Sequence, residues 1–505
     1  MSFGSLVSGH FRLMWRLGLA AALCCLGSVT DFDCGQAQES AATGAIANRN
    51  DRALDPDAST ALRLPNIFAD HMVLQADRGV PLWGWGAPQR EVAVRWEGQE
   101  HRVTVDQSGK WRLDLPRCKA GGPRELTVSC GDESVTFQDV WVGEVWLCSG
   151  QSNMQWSLKD SDGAADEIPR AIHQRLRLCN VPMEWDDEAR DDCAAEWSEC
   201  RPEAAATFSA VAYYFGKRLM EDLDTPVGLI GSYWGGTPAE SWTSPAALQG
   251  HPLLKPLVDE SKPNSEHPQN QPSVLYHAMI SPLVPYGVRG AIWYQGESNV
   301  GRAAQYEVLF PTMIRDWRHR WGQGDFPFYF VQIAPFRYEW TTPEAYCELC
   351  EAQTSTLRVP NTGMVVTNDI SDVKDIHPRN KRAVGERLAR LALSRTYGRR
   401  IGAVCGPLYA GCEMDGARIR VHFHHAGSGL ATRDGRTPTG FTIAGVDHVF
   451  HDAVAIIDGR SVVVSSPDVI RPRAVRFAWS DTSLSNLINR EGLPAAAFRT
   501  DSFWP

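Results

Sequence analysis

From Val142 onward the chain repeats one pattern, a short apolar run followed by a stretch with helical spacing. The runs are "EVWLC" (144–148), "PVGLI" (226–230), "GAIWYQ" (290–295), "FPFYFVQIA" (326–334) and "GMVVTN" (363–368). Apolar residues stand at successive positions, so a strand made from any of them has no face for water. Between the runs lie segments such as "AAATFSAVAYYFGKRLMEDL", with Phe208, Val211, Phe215 and Leu219 at helical spacing. Strands apolar on both faces and joined by helices predict a parallel sheet covered on both sides. An α/β core over residues 142–400 is therefore expected.

At 505 residues the chain exceeds one ordinary core and calls for several domains. Residues 61–141 hold short alternating runs broken by Gly and Pro, among them "EVAVRWEG" and "HRVTVDQSGKWRLDLP". That spacing of turn signals predicts a small all-β domain. Residues 401–505 return to short strands ("ARIRVHF", "AVAIIDGRSVVVS", "AVRFAWSD") and predict a second β domain. The Pro-rich stretch from His251 to Pro272 reads as a surface loop, and no internal repeat is present.

The N-terminus carries Arg12 and Arg16, then "LGLAAALCCLGSV", then "GQAQ" with Gly35 and Ala37 at cleavage-like spacing. This is the layout of a secretory signal over 1–37, followed by an aperiodic, disordered leader over 38–60. As a helix the apolar run spans only about 20 Å against a bilayer core of about 30 Å, so stable membrane insertion is not expected. Export to a periplasmic or extracellular space follows as an expectation. Ten of the 13 cysteines lie beyond Ala37, which fits an oxidising compartment, with Cys193/Cys200, Cys405/Cys412 and Cys118/Cys130 as close pairs for bridging. The "CELC" run, Cys347 to Cys350, has no second CxxC, and a metal or redox role is not expected of it. A net charge of −10 leaves no basic surplus for phosphates and argues against a nucleic-acid partner. The 18 Trp suit sugar stacking, although core and strand positions account for most tryptophans.

In a parallel α/β sheet, ligands bind beyond the carboxyl ends of the strands. Those ends supply Ser149 to Asn153 ("SGQSN"), Gly231 to Thr237 ("GSYWGGT"), Gln295 to Asn299 ("QGESN") and Asp369 to His377 ("DISDVKDIH"). A hydroxyl, a glycine pair, an amide set and a carboxylate with an imidazole are the parts of an acyl-transfer site. Ser152 follows Gly150 at the end of a strand and before a helix, the layout of a turn that exposes a nucleophile, although G-x-S-x-G is absent. His377 is the expected base, with Asp375 two residues earlier to orient its ring. For the oxyanion, the Ser152 N–H, the N–H of Gly235 or Gly236, and an amide of Gln295 or Asn299 would serve, with the start of the helix at Asn153 facing it. Glu297 has two readings, binding substrate hydroxyls or holding its loop. Each residue taken singly has a duller role as a helix cap, a tight turn or a loop residue; the four strand ends together carry the reading. The histidines of "VHFHH", His422 to His425, and His71 are expected to be structural.

With these residues in view, "GEVWLCSGQSNM", "VGLIGSYWGGTPAESW", "AIWYQGESN" and "DIHPRNK" resemble, in order, the sialate O-acetylesterases and their bacterial relatives among the SGNH-type carbohydrate esterases. "LPNIFADHMVLQ" near the start and "NLINREGLPAAAFRTD" near the end extend the likeness over residues 62–501. The resemblance implies a flavodoxin-like SGNH hydrolase core of three layers flanked by all-β, sandwich-like domains. It implies a Ser-His-Asp mechanism without cofactor or metal, and removal of O-acetyl groups from a sugar or glycan. In that frame Ser152 matches the nucleophile, Gly235 or Gly236 the oxyanion glycine, Gln295 and its neighbours the third block, and His377 the base. The wider class places its acid three residues before the histidine, where this chain has Lys374, so Asp375 is the expected acid and Asp372 the reserve. His277 replaces an asparagine expected in relatives.

Other readings stay open on sequence: an acetylesterase for xylan or another polysaccharide, a glycosidase using Glu297 and Asp375 as a carboxylate pair, or a non-catalytic glycan-binding protein. The sequence does not specify the oligomeric state.

Overall fold

The computed structural model describes residues 61–501. The expected export signal and leader lie outside the described residues. The central sheet contains β1 (Glu133–Gly150), β2 (His173–Asn180), β3 (Glu196–Cys200), β4 (Val227–Tyr233), β5 (Gly290–Tyr294), β6 (Phe328–Val331) and β7 (Thr362–Val365). Their spatial order is β7-β6-β5-β1-β4-β2-β3, parallel throughout except for the antiparallel edge strand β3. The helices that matter for the site are α1 (Ser152–Gln155), α2 (Ala210–Leu223), α3 (Ala303–Trp321), α4 (Pro343–Ser355) and α5 (Lys381–Arg395).

Two-residue alternation along the strands sorts these helices into layers. Trp146, Cys148, Leu229 and Tyr329 face one side and pack with Phe215 of α2 and Leu388 of α5. Val145, Leu147, Trp293 and Phe330 face the other and pack with Phe310 of α3 and Leu349 of α4. The sheet is thus the middle of three layers, as continuous apolar runs require. Large aromatic side chains such as Trp146 and Trp293 are fully buried, each removing about 200 Å² from water, and supply much of the driving force.

The β region that precedes the core is not set off by a break at residue 142. Strand β1 runs straight across it: its first half pairs with Gly121–Cys130, and its second half is the central strand of the parallel sheet. Residues 408–499 form two four-stranded and one two-stranded antiparallel sheets, with Val421, Phe477 and Phe498 in a core of their own. The His251–Pro272 segment is largely loop, with one short helix at Lys255–Asp259. Strands β2 and β3 have no counterpart among the apolar runs, because they form the sheet's partly polar edge. Arg177 of β2 is buried there beside Asp139 (2.5 Å) and Glu199 (3.8 Å). His71 joins the same cluster through Asp139 at 2.7 Å. His71, Asp139 and Glu199 lie close enough to group around an ion, but the Arg177 guanidinium already stands among them and supplies the positive charge.

The expected disulfides do not form: all ten described cysteines are free thiols. Cys193 and Cys200 bracket the extended strand β3, which holds them apart. Cys118 accepts a hydrogen bond from Trp96 Nε1 at 3.1 Å instead of meeting Cys130. Cys405 is buried, whereas Cys412 is exposed on the strand Leu408–Asp415. Cys347 and Cys350 sit inside α4, where burial raises both thiols and keeps them protonated. His422 lies on the strand Arg418–His424 and bonds Ser461 at 3.1 Å.

Candidate functional site

Because the core strands are parallel, the carboxyl ends of β1, β4, β5 and β7 meet at one edge, and the chain is led away from each by a tight turn. At the end of β1, Gly150 adopts φ +139°, and a Cβ there would stand 2.2 Å from the Tyr294 carbonyl oxygen. Only glycine permits this close approach. Gln151 then locks the turn to β5: its N–H donates to Tyr294 O (3.0 Å), and its Oε1 accepts from the N–H groups of Gly296 (3.2 Å) and Ser298 (3.3 Å). Ser152 is thereby held at the first position of α1. Its own N–H has no partner among the described residues and remains available to an incoming oxyanion. Helix α1 is only four residues long, so its dipole adds less than the sequence reading expected.

His377 arrives from the loop after β7, with its Nε2 2.8 Å from Ser152 Oγ. The ring stacks on Trp156 at a centroid distance of 4.9 Å and an interplanar angle of 25°. Burial, then the charge of Lys381, lower its pKa to about 4; Asp375 opposes the shift and Arg379 adds to it. The imidazole is therefore neutral at ordinary pH, the form that can take a proton.

Asp375 does not orient that ring by a hydrogen bond. Its Oδ1 accepts the backbone N–H of His377 at 2.9 Å, an Asx-type turn that shapes the loop. Asp372 lies further back, accepting from the Lys374 N–H at 2.9 Å. The stacking on Trp156 provides the ring's orientation, while the Asp375 charge acts on it through space.

The glycine pair also behaves unevenly. A Cβ on Gly235 would come within 3.2 Å of Ser152 Cβ, so this backbone lies directly against the serine. The Gly235 N–H points to Gln155 Oε1 at 2.6 Å, which places a neutral amide oxygen where a carbonyl oxygen of substrate would seek a donor. Gly236, with φ +75°, faces open space.

Gln295, Glu297 and Asn299 do not line the site as expected. Gln295 Nε2 donates to Asn299 Oδ1 (2.7 Å) and Thr237 O (3.3 Å), and its Oε1 accepts from Tyr306 OH (3.1 Å). Asn299 Nδ2 donates to Glu240 (2.9 Å), and its Oδ1 also accepts the Ala239 N–H (3.0 Å). Both amides are fully buried and turned inward, so neither is an oxyanion donor. Glu297 is buried beneath the serine, accepting from Asn153 Nδ2 at 2.7 Å. The bond ties the loop after β5 to the serine turn. His277 is buried away from the serine, its Nδ1 bonded to Asp186 O at 3.1 Å, and it fixes the loop at 186–190.

The residues missed in sequence are Trp156, Gln155 and Lys381; Asn153, expected to begin the helix, stands second in it behind Ser152, and its side-chain amide instead ties the loops together. Lys381 had a readable signal: it shares an i, i+3, i+4, i+7 stripe with Val384, Gly385 and Leu388, the buried face of α5. A lysine on the apolar stripe of a helix is a charge placed inside.

Comparison with known proteins assigns the chain to a family. The family model described as carbohydrate esterase, sialic acid-specific acetylesterase matches residues 142–394. The human protein named sialate O-acetylesterase is 34% identical over 402 residues, covering 71% of this chain and 76% of its own. Its mouse counterpart is 33% identical over 421 residues, covering 71% and 77%. A solved carbohydrate acetylesterase from Xanthomonas citri superposes with a TM-score of 0.82 at 38% identity, covering 88% of this chain and 100% of that one. The chain belongs to the carbohydrate esterase, sialic acid-specific acetylesterase family, and it is a carboxylic ester hydrolase that acts as a carbohydrate O-acetylesterase.

Proposed function

We propose that the protein removes O-acetyl groups, such as the 9-O-acetyl group, from sialic acid by a serine-histidine mechanism. The single observation that carries the mechanism is the 2.8 Å contact between Ser152 Oγ and a neutral His377 Nε2. Ser152 Oγ attacks the acetyl carbonyl carbon as its proton passes to Nε2. The tetrahedral oxyanion takes the Ser152 N–H and, once Gln155 swings aside, the Gly235 N–H. The bond between the carbonyl carbon and the sugar oxygen then breaks, and His377 returns the proton to that oxygen. Water attacks the acetyl-serine, again giving its proton to His377, and acetate leaves with Ser152 Oγ–H restored.

The substrate assignment draws on the sialate O-acetylesterases that this chain resembles and on a charge at the site. The Arg379 guanidinium is largely exposed, 5.7 Å above the Trp156 ring and 3.7 Å from Asp375, and it suits the carboxylate of an acidic sugar. Acetate release should be measured across a panel of O-acetylated sialic acids, acetylated xylo-oligosaccharides and an aryl acetate. The proposal expects preference for the sialic acids. Preference for neutral xylo-oligosaccharides would overturn it in favour of a polysaccharide acetylesterase, and reducing-end release without acetate would point to glycosidase chemistry.

Export by the N-terminal segment is part of the same proposal. It is supported by the charged start, the apolar run and the small-residue cleavage pattern. Among the described residues, no helix is long and apolar enough to cross a membrane. Fractionation of the producing cells and N-terminal sequencing of the mature protein test it.

The depressed pKa of His377 gives a pH prediction. The base works when neutral, so kcat/KM should rise with an inflection near pH 4 and stay level up to neutrality, instead of rising near pH 6.5. The folded pKa lies below the ordinary one, so the unfolded chain takes the proton first. Folding stability should fall as pH drops through that window. A kcat/KM profile on enzyme shown to be folded at each pH checks the first expectation, and thermal unfolding against pH checks the second.

A further inference from the structure

The side-chain amide of Asn153, the residue after the candidate nucleophile, makes bonds in three directions. Its Nδ2 donates to Glu297 Oε1 (2.7 Å) and to the carbonyl oxygen of Ile376 (3.0 Å), the residue before His377. Its Oδ1 accepts from Lys381 Nζ, four residues after His377. One amide therefore joins the serine turn, the β5 loop and both flanks of the histidine. Asn153 and Lys381 are fully buried, and Glu297 is 6% exposed.

Lys381 is held among specific partners. Its ammonium lies 5.5 Å from the Trp156 ring centre and 5.6 Å from that of Tyr294, facing the same indole that stacks on His377. Glu297 is its buried counter-charge, and Asp375 adds negative charge from the histidine loop. Burial raises the Glu297 carboxyl, and its own backbone N–H, the Asn153 amide, the Lys381 charge and the Gly296 N–H oppose that shift, so the carboxylate and the ammonium hold each other in the charged form.

We infer that Lys381 is a positioning residue of the reaction: through Asn153 it fixes the separation of the Ser152 turn and the His377 loop, and it sets a positive charge beneath the reacting pair. The inference rests on Ser152 and His377 being that pair. The charged groups around the imidazole are Asp375 and Arg379 on its own loop, Lys381 at the start of α5, and Glu297 behind Lys381 on the β5 loop. Burial, the largest influence, brings the Lys381 pKa down to about 7, so the ammonium is charged in mild acid. There it opposes a second positive charge on His377, keeps the base neutral and favours the oxyanion. The site is thus built to work over a mildly acidic window in which Lys381 is protonated and His377 is not.

Lys381→Met removes the charge and keeps the length of the side chain. The expected result is an acid limb of kcat/KM moved up by about one pH unit, with kcat lowered about tenfold and KM within about twofold. Histidine-selective NMR titration, with the His377 signal identified by His377→Gln, should show the same upward shift without any substrate. Failure of the proposed reaction is therefore distinguishable from failure of this inference. Asn153→Ala keeps the charge and cuts the tie, so it should lower kcat at least tenfold without an upward movement of the limb. If Lys381→Met folds and its limb and NMR titration superimpose on those of the native enzyme, the inference is overturned. If Lys381→Met does not fold, an unchanged kcat in Asn153→Ala overturns it instead.

Discussion

Ser152→Ala and His377→Ala should each lower kcat/KM for an O-acetyl ester by about 10⁴- to 10⁶-fold while leaving the fold intact, and the double variant should be no slower than either single one. The reason is that the two atoms act as one unit. Without Nε2 at 2.8 Å the hydroxyl keeps its proton, and without the hydroxyl the imidazole has nothing to activate. Neither side chain supports the core: both are only partly buried at the rim of the sheet. Thermal unfolding should therefore stay within a few degrees of the native enzyme, which separates loss of chemistry from loss of structure. Asp375→Asn is the informative contrast. In a triad whose acid holds the ring, this change costs about 10⁴-fold. Here Asp375 bonds the backbone N–H of His377, an asparagine side-chain oxygen accepts the same bond, and only a through-space charge is lost. A loss of about tenfold is expected on the kcat/KM plateau, accompanied by a lower apparent pKa of the acid limb.

Gln155→Glu is expected to have the next largest effect, lowering kcat/KM by about 10²- to 10³-fold. In the resting site the Gly235 N–H is held by Gln155 Oε1 at 2.6 Å, against the flank of Ser152. A neutral amide oxygen is a weak competitor that substrate can displace. A carboxylate would hold the donor by a charge-assisted bond and would place negative charge beside the developing oxyanion. Gln155→Ala does the reverse, since it frees the N–H, and should stay within about tenfold of native. Steady-state kinetics of both variants on one aryl acetate check the pair. Equal losses in both would mean that the Gly235 N–H takes no part in catalysis.

The strand ends explain why so much of this site could be read in advance. Ser152 and His377 are 225 residues apart, yet each follows an apolar run, and parallel runs deliver their carboxyl ends to one edge. Five such runs are visible in the sequence, and they bring Ser152 and His377 to one edge, 2.8 Å apart. The third block was misjudged for a local reason. Beyond a strand end, two-residue alternation lapses, and nothing in "QGESN" says that Gln295 and Asn299 turn inward to bond each other and Glu240. Asp375 was placed near the histidine correctly, but a carboxylate two residues before it bonds its backbone more readily than its ring. Strands β2 and β3 escaped notice because β2, next to the edge strand β3, alternates leucines with charged residues such as Arg177, which reads as loop until its partners Asp139 and Glu199 are known. The Cys193/Cys200 pair failed because nearness in sequence along an extended strand is distance in space.

The central claim, that Ser152 Oγ is the atom that takes the acyl group, can be tested without knowing the natural sugar. An organophosphorus fluoride transfers its phosphoryl group to an activated serine oxygen with loss of fluoride, and peptide mapping by mass spectrometry locates the label. One phosphoryl group per chain is expected, on the peptide carrying Ser152, with acetate release lost in proportion to labelling and no label in His377→Ala. Undiminished acetate release from enzyme fully labelled at Ser152, or loss of activity with the label on another residue, would contradict it.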